Sequence, residues 1–425
     1  MKKVFLPSAL LIVFFAAFFT SCVKDTCKNS YTYTLYRPVY ETVSQLKANI
    51  KSGSPEEIEN PGKIVILGHY IFLNEIEKGI HIINNANPAA PQNVSFIKIP
   101  GNMDIAVKGN TVYADSYADL VTLDVSDPAH VALKDYKENV LQFPYYAGAV
   151  AYGPQYKIAG WEKKDTTIVE PCGGGGGVIA LERGIAYLSN SGNSASVPAA
   201  NNSGAVGTGG SMARFAIVNN YLYTVNSSNL TVFDITASNG PAYVNSTTVD
   251  FHVETIYPFQ DKLFIGSNNG MFIYSLNGSP ANPVKVGQFT HARSCDPVIS
   301  DGQYAYITLH SGSSCEGYNN ELDVVRLNML VDASLVQVYH LTSPEGLSKD
   351  GDLLFVCDGT DGLKVFDASD VLNMKLLQRL PIGDAYDVIA QNHIALVITT
   401  DALYQFDYND PANIHLLSKL SVLKN

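Results

Sequence analysis

One short stretch recurs along the chain at a nearly constant interval. In its clearest form it reads Asp-Leu-Val-Thr-Leu-Asp-Val-Ser-Asp-Pro and covers residues 119–128. Related stretches end at these residues: Asn84, Asp124, Asp234, Ser275, Arg326, Asp367 and Asp407. The steps between these positions are 40, 110, 41, 51, 41 and 40 residues, so a period near 40 persists with two insertions. A period of this length, built from short apolar stretches, is typical of propeller blades and stacked arrays.

Each period divides into four short segments that have the composition of β-strands. In the second repeat they are Asp104–Lys108, Thr111–Asp115, Leu120–Val125 and Val131–Tyr136, called here strands A to D. Apolar and β-branched residues dominate them, and Gly, Asn, Asp or Pro separate them. Four antiparallel strands repeated around an axis form a propeller blade, so the sequence predicts an all-β β-propeller with seven four-stranded blades. A linear solenoid is the alternative, but it would need capping repeats that the sequence does not show.

The same stretch resembles a known repeat family. The pattern L-x-V-x-D followed by Ser-Asp-Pro is similar to the LVIVD repeat of β-propeller lipoproteins of Gram-negative bacteria. The resemblance is strong at Leu120–Pro128 and Leu363–Asp367 and weaker at Ser275 and Arg326, where the Asp is replaced. It covers roughly residues 31–425. It implies a propeller fold and a location at the envelope, and it implies no particular activity.

The N-terminus predicts export and a lipid anchor. Residues 1–21 join Lys2 and Lys3 to a short apolar run, which indicates a signal peptide. Residues 19–22 read Phe-Thr-Ser-Cys and resemble a bacterial lipobox, so Cys22 is expected to be acylated. Acyl chains would hold the protein at the outer membrane or the cell surface without a spanning helix.

The sequence between the anchor and the repeats predicts a tether. Residues 22–61 are expected to carry a short strand at Tyr31–Tyr36 and a short helix within Tyr40–Lys51. The strand is expected to add to a blade edge and protect it. The propeller is expected to occupy residues 62–425, and the repeats begin on an A strand and end on a D strand. No exchanged strand is therefore needed to close the ring.

The charge of the chain limits its partners. The formal net charge is −12. Nucleic acid requires a basic surface, so it is not an expected partner. Direct binding to anionic lipid is disfavoured for the same reason, which leaves the lipid anchor as the only expected membrane contact.

Strand direction assigns the insertions to one face. D–A connections and B–C loops lie on the same face of a propeller, called here the top face. The larger insertion, residues 137–213, is a D–A connection, and the smaller one lengthens the B–C loop His310–Asn320. Both are therefore predicted on the top face, where long connections often carry binding residues.

Charged residues recur at the start of strand A. This position holds Lys63, Asp104, Arg214, Glu254, Asp296, Glu345 and Asp387. Because strand A is the innermost strand of a blade, these residues are predicted to form a ring at the top mouth of the central channel. A Ca²⁺ ion, or a cationic or polyhydroxylated ligand, would relieve the repulsion among the carboxylates. The alternative is a solvated rim in which Lys63 and Arg214 pair with neighbouring acids.

Cysteine and histidine residues give two further predictions. Cys295 precedes the A strand of blade 5 and Cys315 lies in its B–C loop, so a disulfide between them is expected, with two separate thiols as the alternative. A transition-metal site could combine His252, His291 and His310 with Asp296, but their spacing does not support it over ordinary surface histidines.

Two functions from different classes fit the sequence. The first is a non-catalytic binding or scaffold propeller of the cell envelope, whose protein or glycan partner docks on the acidic top face. The second is a hydrolase or lyase that acts on a polyhydroxylated substrate with a carboxylate pair from the channel mouth. No nucleophile elbow, zinc-protease motif or EF-hand loop favours the enzyme.

Overall fold

The structure of the chain is a computed structural model, and it describes residues 28–141, 155–171, 204–290, 297–311, 319–329 and 332–423. The chain divides into two compact units. In the described part, residues 28–39 and 161–171 belong to the first unit, and the remainder belongs to the second unit.

The elements are strands with one short helix. The N-terminal part contains β1 (Lys28–Thr42), α1 (Val43–Asn49) and β2 (Ser52–Gly53). Blades 1 and 2 contain β3 (Pro61–Leu67), β4 (Tyr70–Glu75), β5 (Gly79–Asn84), β6 (Gln92–Lys98), β7 (Ile105–Lys108), β8 (Thr111–Ser116), β9 (Asp119–Asp124) and β10 (Ala132–Lys137). The insertion contributes β11 (Tyr156–Pro171) and β12 (Thr208–Gly209). Blades 3 and 4 contain β13 (Phe215–Val218), β14 (Tyr221–Asn226), β15 (Asn229–Asp234), β16 (Ala242–Thr248), β17 (Val253–Phe259), β18 (Lys262–Ser267), β19 (Gly270–Ser275) and β20 (Val284–Thr290). Blades 5 to 7 contain β21 (Val298–Ser300), β22 (Tyr304–Leu309), β23 (Glu321–Asn328), β24 (Asp332–His340), β25 (Leu347–Asp350), β26 (Leu353–Cys357), β27 (Leu363–Asp367), β28 (Lys375–Leu380), β29 (Ala385–Gln391), β30 (Ile394–Thr399), β31 (Ala402–Asp407) and β32 (His415–Ser421).

The strands form seven four-stranded antiparallel blades, as the sequence predicts. Within each blade the strands pair in chain order from A to D. The A strands of neighbouring blades contact one another, which arranges them around a central channel. The sheet of blade 1 gains β12 at its inner edge and β2 at its outer edge. A single parallel pair between Gln288 and Asp332 links the outer strands of blades 4 and 5.

The ring closes without an exchanged strand, because all four strands of blade 1 come from one end of the chain and those of blade 7 from the other. Apolar packing joins the two blades: Ile64 and Ile71 of blade 1 share a buried cluster with Leu396 of blade 7. Ile58 belongs to the same cluster, and its carbonyl accepts a hydrogen bond of 2.7 Å from the backbone N–H of Leu423. Asn85 and Gln405 exchange two side-chain hydrogen bonds of 2.8 Å between these blades. Closure therefore combines apolar burial with hydrogen bonds between blades 1 and 7.

The burial pattern explains why the repeat reads as a continuous apolar run. Strands B and C are covered by neighbouring blades on both faces, and every residue of β8 is buried. The outer D strands face solvent; β16 and β28 contain no buried residue. A strand buried on both faces loses the polar alternation of a half-buried strand.

The Asp residues of the repeat close the C–D turns. Oδ1 of Asp124 accepts a hydrogen bond of 2.9 Å from the backbone N–H of Ser126, and Oδ1 of Asp127 accepts one of 3.0 Å from Ala129. The corresponding pairs are Asp367 with Asp370 in blade 6, Asp407 with Asp410 in blade 7, and Asn84 with Asn87 in blade 1. Asp and Asn are favoured at these positions because both can accept this local bond.

Helix α1 lies where the sequence places a helix. Thr42 and Gln45 form a capping box, in which each side chain accepts a hydrogen bond from the backbone N–H of the other. Leu46 and Ile50 are buried in the same cluster as the apolar side chains of blades 1 and 2.

The N-terminal strand has a different partner from the expected one. Tyr31–Tyr36 lies inside β1, which pairs with β11 in a sheet of two strands. The prediction that this segment extends a blade edge is therefore wrong. The insertion supplies the long strand β11. This strand pairs with the backbone of β1, which was expected to pair with a blade edge.

Residues 204–213, called here the channel segment, run along the inner strands of the propeller. The segment begins beside the A–B turn of blade 2, where the N–H of Gly109 donates a hydrogen bond of 2.7 Å to Ala205. The N–H of Gly207 then donates to Val107 at 2.8 Å, and β12 pairs with β3. The A–B turns lie opposite the top face, so this part of the insertion departs from the predicted top-face position. The physical reason is that the inner edges of β3 and β7 offer unpaired backbone groups, which the segment satisfies.

We predict that Asp124→Ala reduces the free energy of unfolding by about 1 kcal/mol, because the turn loses a hydrogen bond to the backbone N–H of Ser126. Asp124→Asn should retain most of the stability, since Asn84 serves the equivalent turn of blade 1. Urea unfolding of the two variants measures the difference. Equal losses in both variants would show that the turn bond does not stabilise the fold.

Candidate functional site

The channel mouth on the top face gathers the charged residues that begin the A strands. Those described are Lys63, Asp104, Arg214, Glu254, Glu345 and Asp387. Their charges act on one another's pKa, with Lys63 as the common neighbour of Asp104, Glu254, Glu345 and Asp387. The structure therefore brings these six together, and Asp296, the seventh predicted member, lies outside the described residues.

Arg214 and two buried acids form one side of the mouth. Arg214 Nε lies 3.7 Å from Asp104 Oδ2, and its Nη2 lies 3.4 Å from Asp115 Oδ2. The backbone N–H of Arg214 also donates a hydrogen bond of 2.6 Å to Asp104 Oδ2. Burial raises the pKa of Asp104, and it raises the pKa of Asp115 to about 6, while Arg214 opposes both shifts. The contact between Arg214 and Asp115 was not visible in the spacing of the sequence.

Lys63 occupies the mouth without a direct partner among the described residues. It is half-buried, and none of them forms a hydrogen bond or an ion pair with its ammonium group. Burial lowers the pKa of Lys63, and the charges of Asp104 and Asp387 oppose this effect. A cation in this position is stabilised at a distance by several carboxylates and retains unused hydrogen-bond donors.

Asp387 is a second fully buried acid of the mouth. It is 1% exposed, and its Oδ1 accepts a hydrogen bond of 3.0 Å from the N–H of Val388. Its Oδ2 is buried against Gly210. Burial raises the pKa of Asp387 to about 7, while Lys63 and a hydrogen bond from the Ser211 side chain oppose the shift. This carboxylate oxygen is therefore shielded from solvent by the channel segment.

Residues of the channel segment form a floor beneath the mouth. Gly210 lies against Asp387 Oδ2, so closely that a Cβ atom at this position would collide with the carboxylate. Oγ of Ser211 accepts a hydrogen bond of 2.8 Å from the N–H of Leu347 in blade 6. The carbonyl of Ala213 accepts one of 2.8 Å from Ile256 in blade 4. Lower in the channel, a cavity of about 220 Å³ remains beside the segment, lined mainly by apolar residues that include Val65, Val107 and Phe215.

Two glutamates complete the upper rim. Glu254 and Glu345 are half-buried. Burial raises the pKa of Glu345 to about 7, Asp384 and Asp387 raise it further, and Lys63 opposes the shift. Burial also raises the pKa of Glu254. Raised pKa values in a concave site are typical of ligand-binding and catalytic positions.

The acids at the ends of B strands have a structural role that the sequence did not reveal. Glu75 accepts hydrogen bonds from the backbone N–H groups of Glu59 and Asn60, just before the A strand of its own blade. Asp115 accepts from Met103 and Asp104 in blade 2, and Asp358 accepts from Thr342 and Ser343 in blade 6. These acids hold the top-face loops in place, so they are not free ligands.

Other predicted sites receive less support or fall outside the described residues. The described part of the chain contains no group of three His, Cys, Asp or Glu side chains able to hold a metal ion. The described residues therefore do not support the predicted Ca²⁺ ring or the histidine metal site. Cys22, Cys295, Cys315 and His291 lie outside the described residues. Cys357 is a buried free thiol of β26. Among the described helices, none has the length and apolar character required to cross a membrane.

Comparison with known proteins agrees with the fold. A family model for the LVIVD repeat matches residues 101–136, which contain blade 2. No curated protein matches the chain. A putative 6-phosphogluconolactonase from Bacteroides uniformis superposes with a TM-score of 0.54 at 12% identity, over 86% of this chain and 97% of that chain. The periplasmic gluconolactonase PpgL of Pseudomonas aeruginosa gives 0.54 at 12% identity, over 85% and 96%. A computationally designed protein, Ika8, gives 0.52 at 8% identity, over 87% and 91%.

These similarities define the class of protein through its fold. The chain is a β-propeller of seven four-stranded blades. It carries an LVIVD repeat in blade 2. At these identities the solved structures show the fold alone, and function depends on the site.

We predict that Gly210→Ala reduces the free energy of unfolding by about 1–3 kcal/mol, because the added methyl group displaces Asp387 or the channel segment. Gly209→Ala is the matched control, since its Cβ would meet the Ala213 Cβ at an ordinary 3.5 Å. Adding Asp387→Ala to Gly210→Ala should restore part of the loss, because it removes the colliding carboxylate. Equal losses for Gly209→Ala and Gly210→Ala in urea unfolding would contradict this packing.

We predict that the stability of Asp387→Asn relative to wild type increases between about pH 4 and about pH 8. The folded-state pKa of Asp387 is about 7 and its ordinary value is 3.8, so the folded state binds the extra proton within this window. The free energy of unfolding of wild type therefore falls as the pH rises through it, and Asn removes that dependence. Asp352→Asn, on an exposed A–B turn, is the control for removing one carboxylate elsewhere in the fold. A difference for Asp387→Asn that does not change with pH would contradict the assigned shift.

Proposed function

We propose that the chain is a non-catalytic binding or scaffold propeller of the bacterial cell envelope, and that its partner docks at the channel mouth on the top face. The observation that carries this proposal is the state of Lys63. Its half-buried ammonium group lies among Asp104, Glu254, Glu345 and Asp387, and it forms no hydrogen bond or ion pair with a described residue. An ammonium group without a direct partner keeps its donors for a docking partner.

The anchoring part of the proposal depends on the N-terminal sequence. Cys22 follows a lipobox-like motif, and acylation there would hold the propeller at the outer membrane or the cell surface. A tethered propeller meets its partners at a fixed surface, which favours docking over a freely diffusing role.

The acids of the top face support binding over catalysis. Asp115 and Asp358 accept backbone hydrogen bonds from their own loops, and Asp104 accepts them from Ile105 and Arg214. Carboxylates engaged in this way hold the surface rigid and have little freedom to exchange protons with a substrate. A rigid, preorganised surface reduces the entropic cost of binding.

One observation favours an enzyme as the second candidate. Glu345 and Asp387 each have a pKa of about 7 and influence one another. Carboxyl groups that titrate near neutral pH suit general acid–base chemistry, so a hydrolase or lyase acting on a polyhydroxylated substrate remains the alternative. Turnover of such a substrate that is lost in both Glu345→Gln and Asp387→Asn would favour the enzyme.

We predict that reversing charge at the mouth removes the partner. Glu254→Lys with Glu345→Lys, in the full chain expressed in a Gram-negative host and cross-linked in intact cells, should reduce recovery of the cross-linked partner by about tenfold or more, because the mouth then presents a reversed charge to a partner that fits its acidic form. Asp261→Lys with Asp352→Lys, an equal charge change on A–B turns, should change recovery by less than about twofold. Cys22→Ser should release the protein from membranes and also lower recovery.

The controls separate the parts of this proposal. Equal recovery from the two charge-reversal variants would contradict docking at the mouth. Retention of Cys22→Ser in the membrane fraction would contradict the lipid anchor. Docking at the mouth would still be tested by the comparison of the two charge-reversal variants. Circular dichroism confirms that each variant is folded before its recovery is interpreted.

A further inference from the structure

The inner edges of the A strands direct backbone groups into the channel. In an antiparallel pair of strands, every second residue points its N–H and C=O away from the partner strand. In blade 3, Val218 pairs with Tyr221 at a turn of two residues, which fixes the alternation along β13. Phe215 and Ile217 therefore point their backbone groups into the channel.

The channel segment supplies partners for such groups in blades 1, 2 and 4. The bonds join Gly210 N–H to the Ile64 carbonyl at 3.3 Å, Gly207 N–H to the Val107 carbonyl at 2.8 Å, and Ile256 N–H to the Ala213 carbonyl at 2.8 Å. In blade 3 the segment leaves the inner edge open. No described residue outside the sheet of blade 3 forms a hydrogen bond with the backbone of Phe215 or Ile217.

The cavity beside the channel segment lies at this open edge. It has a volume of about 220 Å³, and both Phe215 and Ile217 line it. None of its described lining residues carries a charged side chain. Phe215 and Ile217 are buried, so their inward backbone groups cost free energy unless water or a ligand supplies hydrogen bonds. A cavity of about 150 Å³ holds a benzene molecule, so this one has room for a short stretch of backbone and a side chain.

We propose that this cavity, called here the blade 3 slot, binds an extended uncharged peptide that adds to β13 as an inner strand. Alternate residues of a strand are about 6.7 Å apart, so the first and third residues of a tripeptide lie opposite Phe215 and Ile217. Backbone hydrogen bonds supply the affinity in this mode of recognition. The channel segment already pairs with β3 in this way through β12. The slot is separate from the channel mouth, so this inference does not depend on the proposed function.

The surroundings of the slot determine how a peptide enters and which side chains it carries. The segment crosses beneath the mouth, where Ser211 contacts Leu347 of blade 6, so entry is from the face opposite the top face. Val206 and Thr208 line the cavity on its exposed side, and Val206 is 41% exposed. A charged side chain would find no partner among the lining residues, so small and apolar side chains are favoured.

The test uses the full chain with Cys22→Ser and isothermal titration calorimetry. The probe is the capped tripeptide acetyl-Val-Thr-Val-amide, and its matched control is the same tripeptide with N-methylated residues. Acetyl-Asp-Thr-Asp-amide and indole serve as the charged and the apolar probe. We expect the uncharged tripeptide to bind, and the N-methylated form to bind about tenfold or more weakly, because it lacks the backbone donors.

Substitutions and hydrogen exchange locate the bound peptide. Val206→Trp fills the slot from an exposed position and should weaken binding by about tenfold or more, whereas Val284→Trp on the outer strand β20 should change it by less than about twofold. Bound tripeptide should slow amide exchange in β13 and leave exchange in β25 unchanged, because new hydrogen bonds protect the N–H groups of Phe215 and Ile217.

Three results would each overturn the proposal. The first is that the uncharged tripeptide does not bind, as expected if water alone occupies the slot. The second is equal binding of the N-methylated form, or tighter binding of indole or of the charged tripeptide, because recognition would then not use the backbone of an uncharged peptide. The third is unchanged binding to a folded Val206→Trp variant, or protection from exchange outside β13, which would place the peptide elsewhere.

Discussion

The packing of a glycine-rich segment inside the channel is the contact on which the centre of this propeller depends. Residues 204–213 pair with strand A of blades 1 and 2, and their upper end contacts blades 4, 6 and 7. Neighbouring blades otherwise meet side by side, through apolar clusters and a few polar contacts such as the ion pair between Arg214 and Asp104. The segment thus joins blades that are not adjacent in the ring. Gly207 and Gly210 permit this close approach, since a Cβ at either position would collide with Val65 or Asp387.

The same segment shapes the candidate site. It fixes Gly210 against Asp387 and places Ser211 beneath the mouth, so the ring of charges lies above a protein floor instead of an open pore. Arg214 directly follows the segment, and its backbone N–H and side chain both contact Asp104. The route of the insertion therefore determines which acid pairs with Arg214 and which acid packs against the segment.

The sequence predicted the blades well because their information is local. Apolar runs, Asp-closed turns and a period near 40 each depend on residues close together in the chain, and their consistency specifies the repeat. Alignment of the A strands also identified Lys63, Asp104, Arg214, Glu254, Glu345 and Asp387 as neighbours, since a repeated position maps to a ring. The pairing of β1 with β11 and the course of residues 204–213 were not predicted. They join segments far apart in the chain, and glycine-rich sequence carries no periodicity that would indicate a partner.

The repeat pattern also could not predict the role of individual acids. Asp115 and Asp387 are both acids near the top of a strand, yet Asp115 accepts three hydrogen bonds through one oxygen, whereas Asp387 packs against Gly210 of the channel segment. The difference arises from loop geometry. It matters because removing a charged group from water costs several kcal/mol unless a partner replaces the lost hydration. Lys63 carries this cost without a direct partner among the described residues, and the charges of Asp104 and Asp387 offset part of it at a distance.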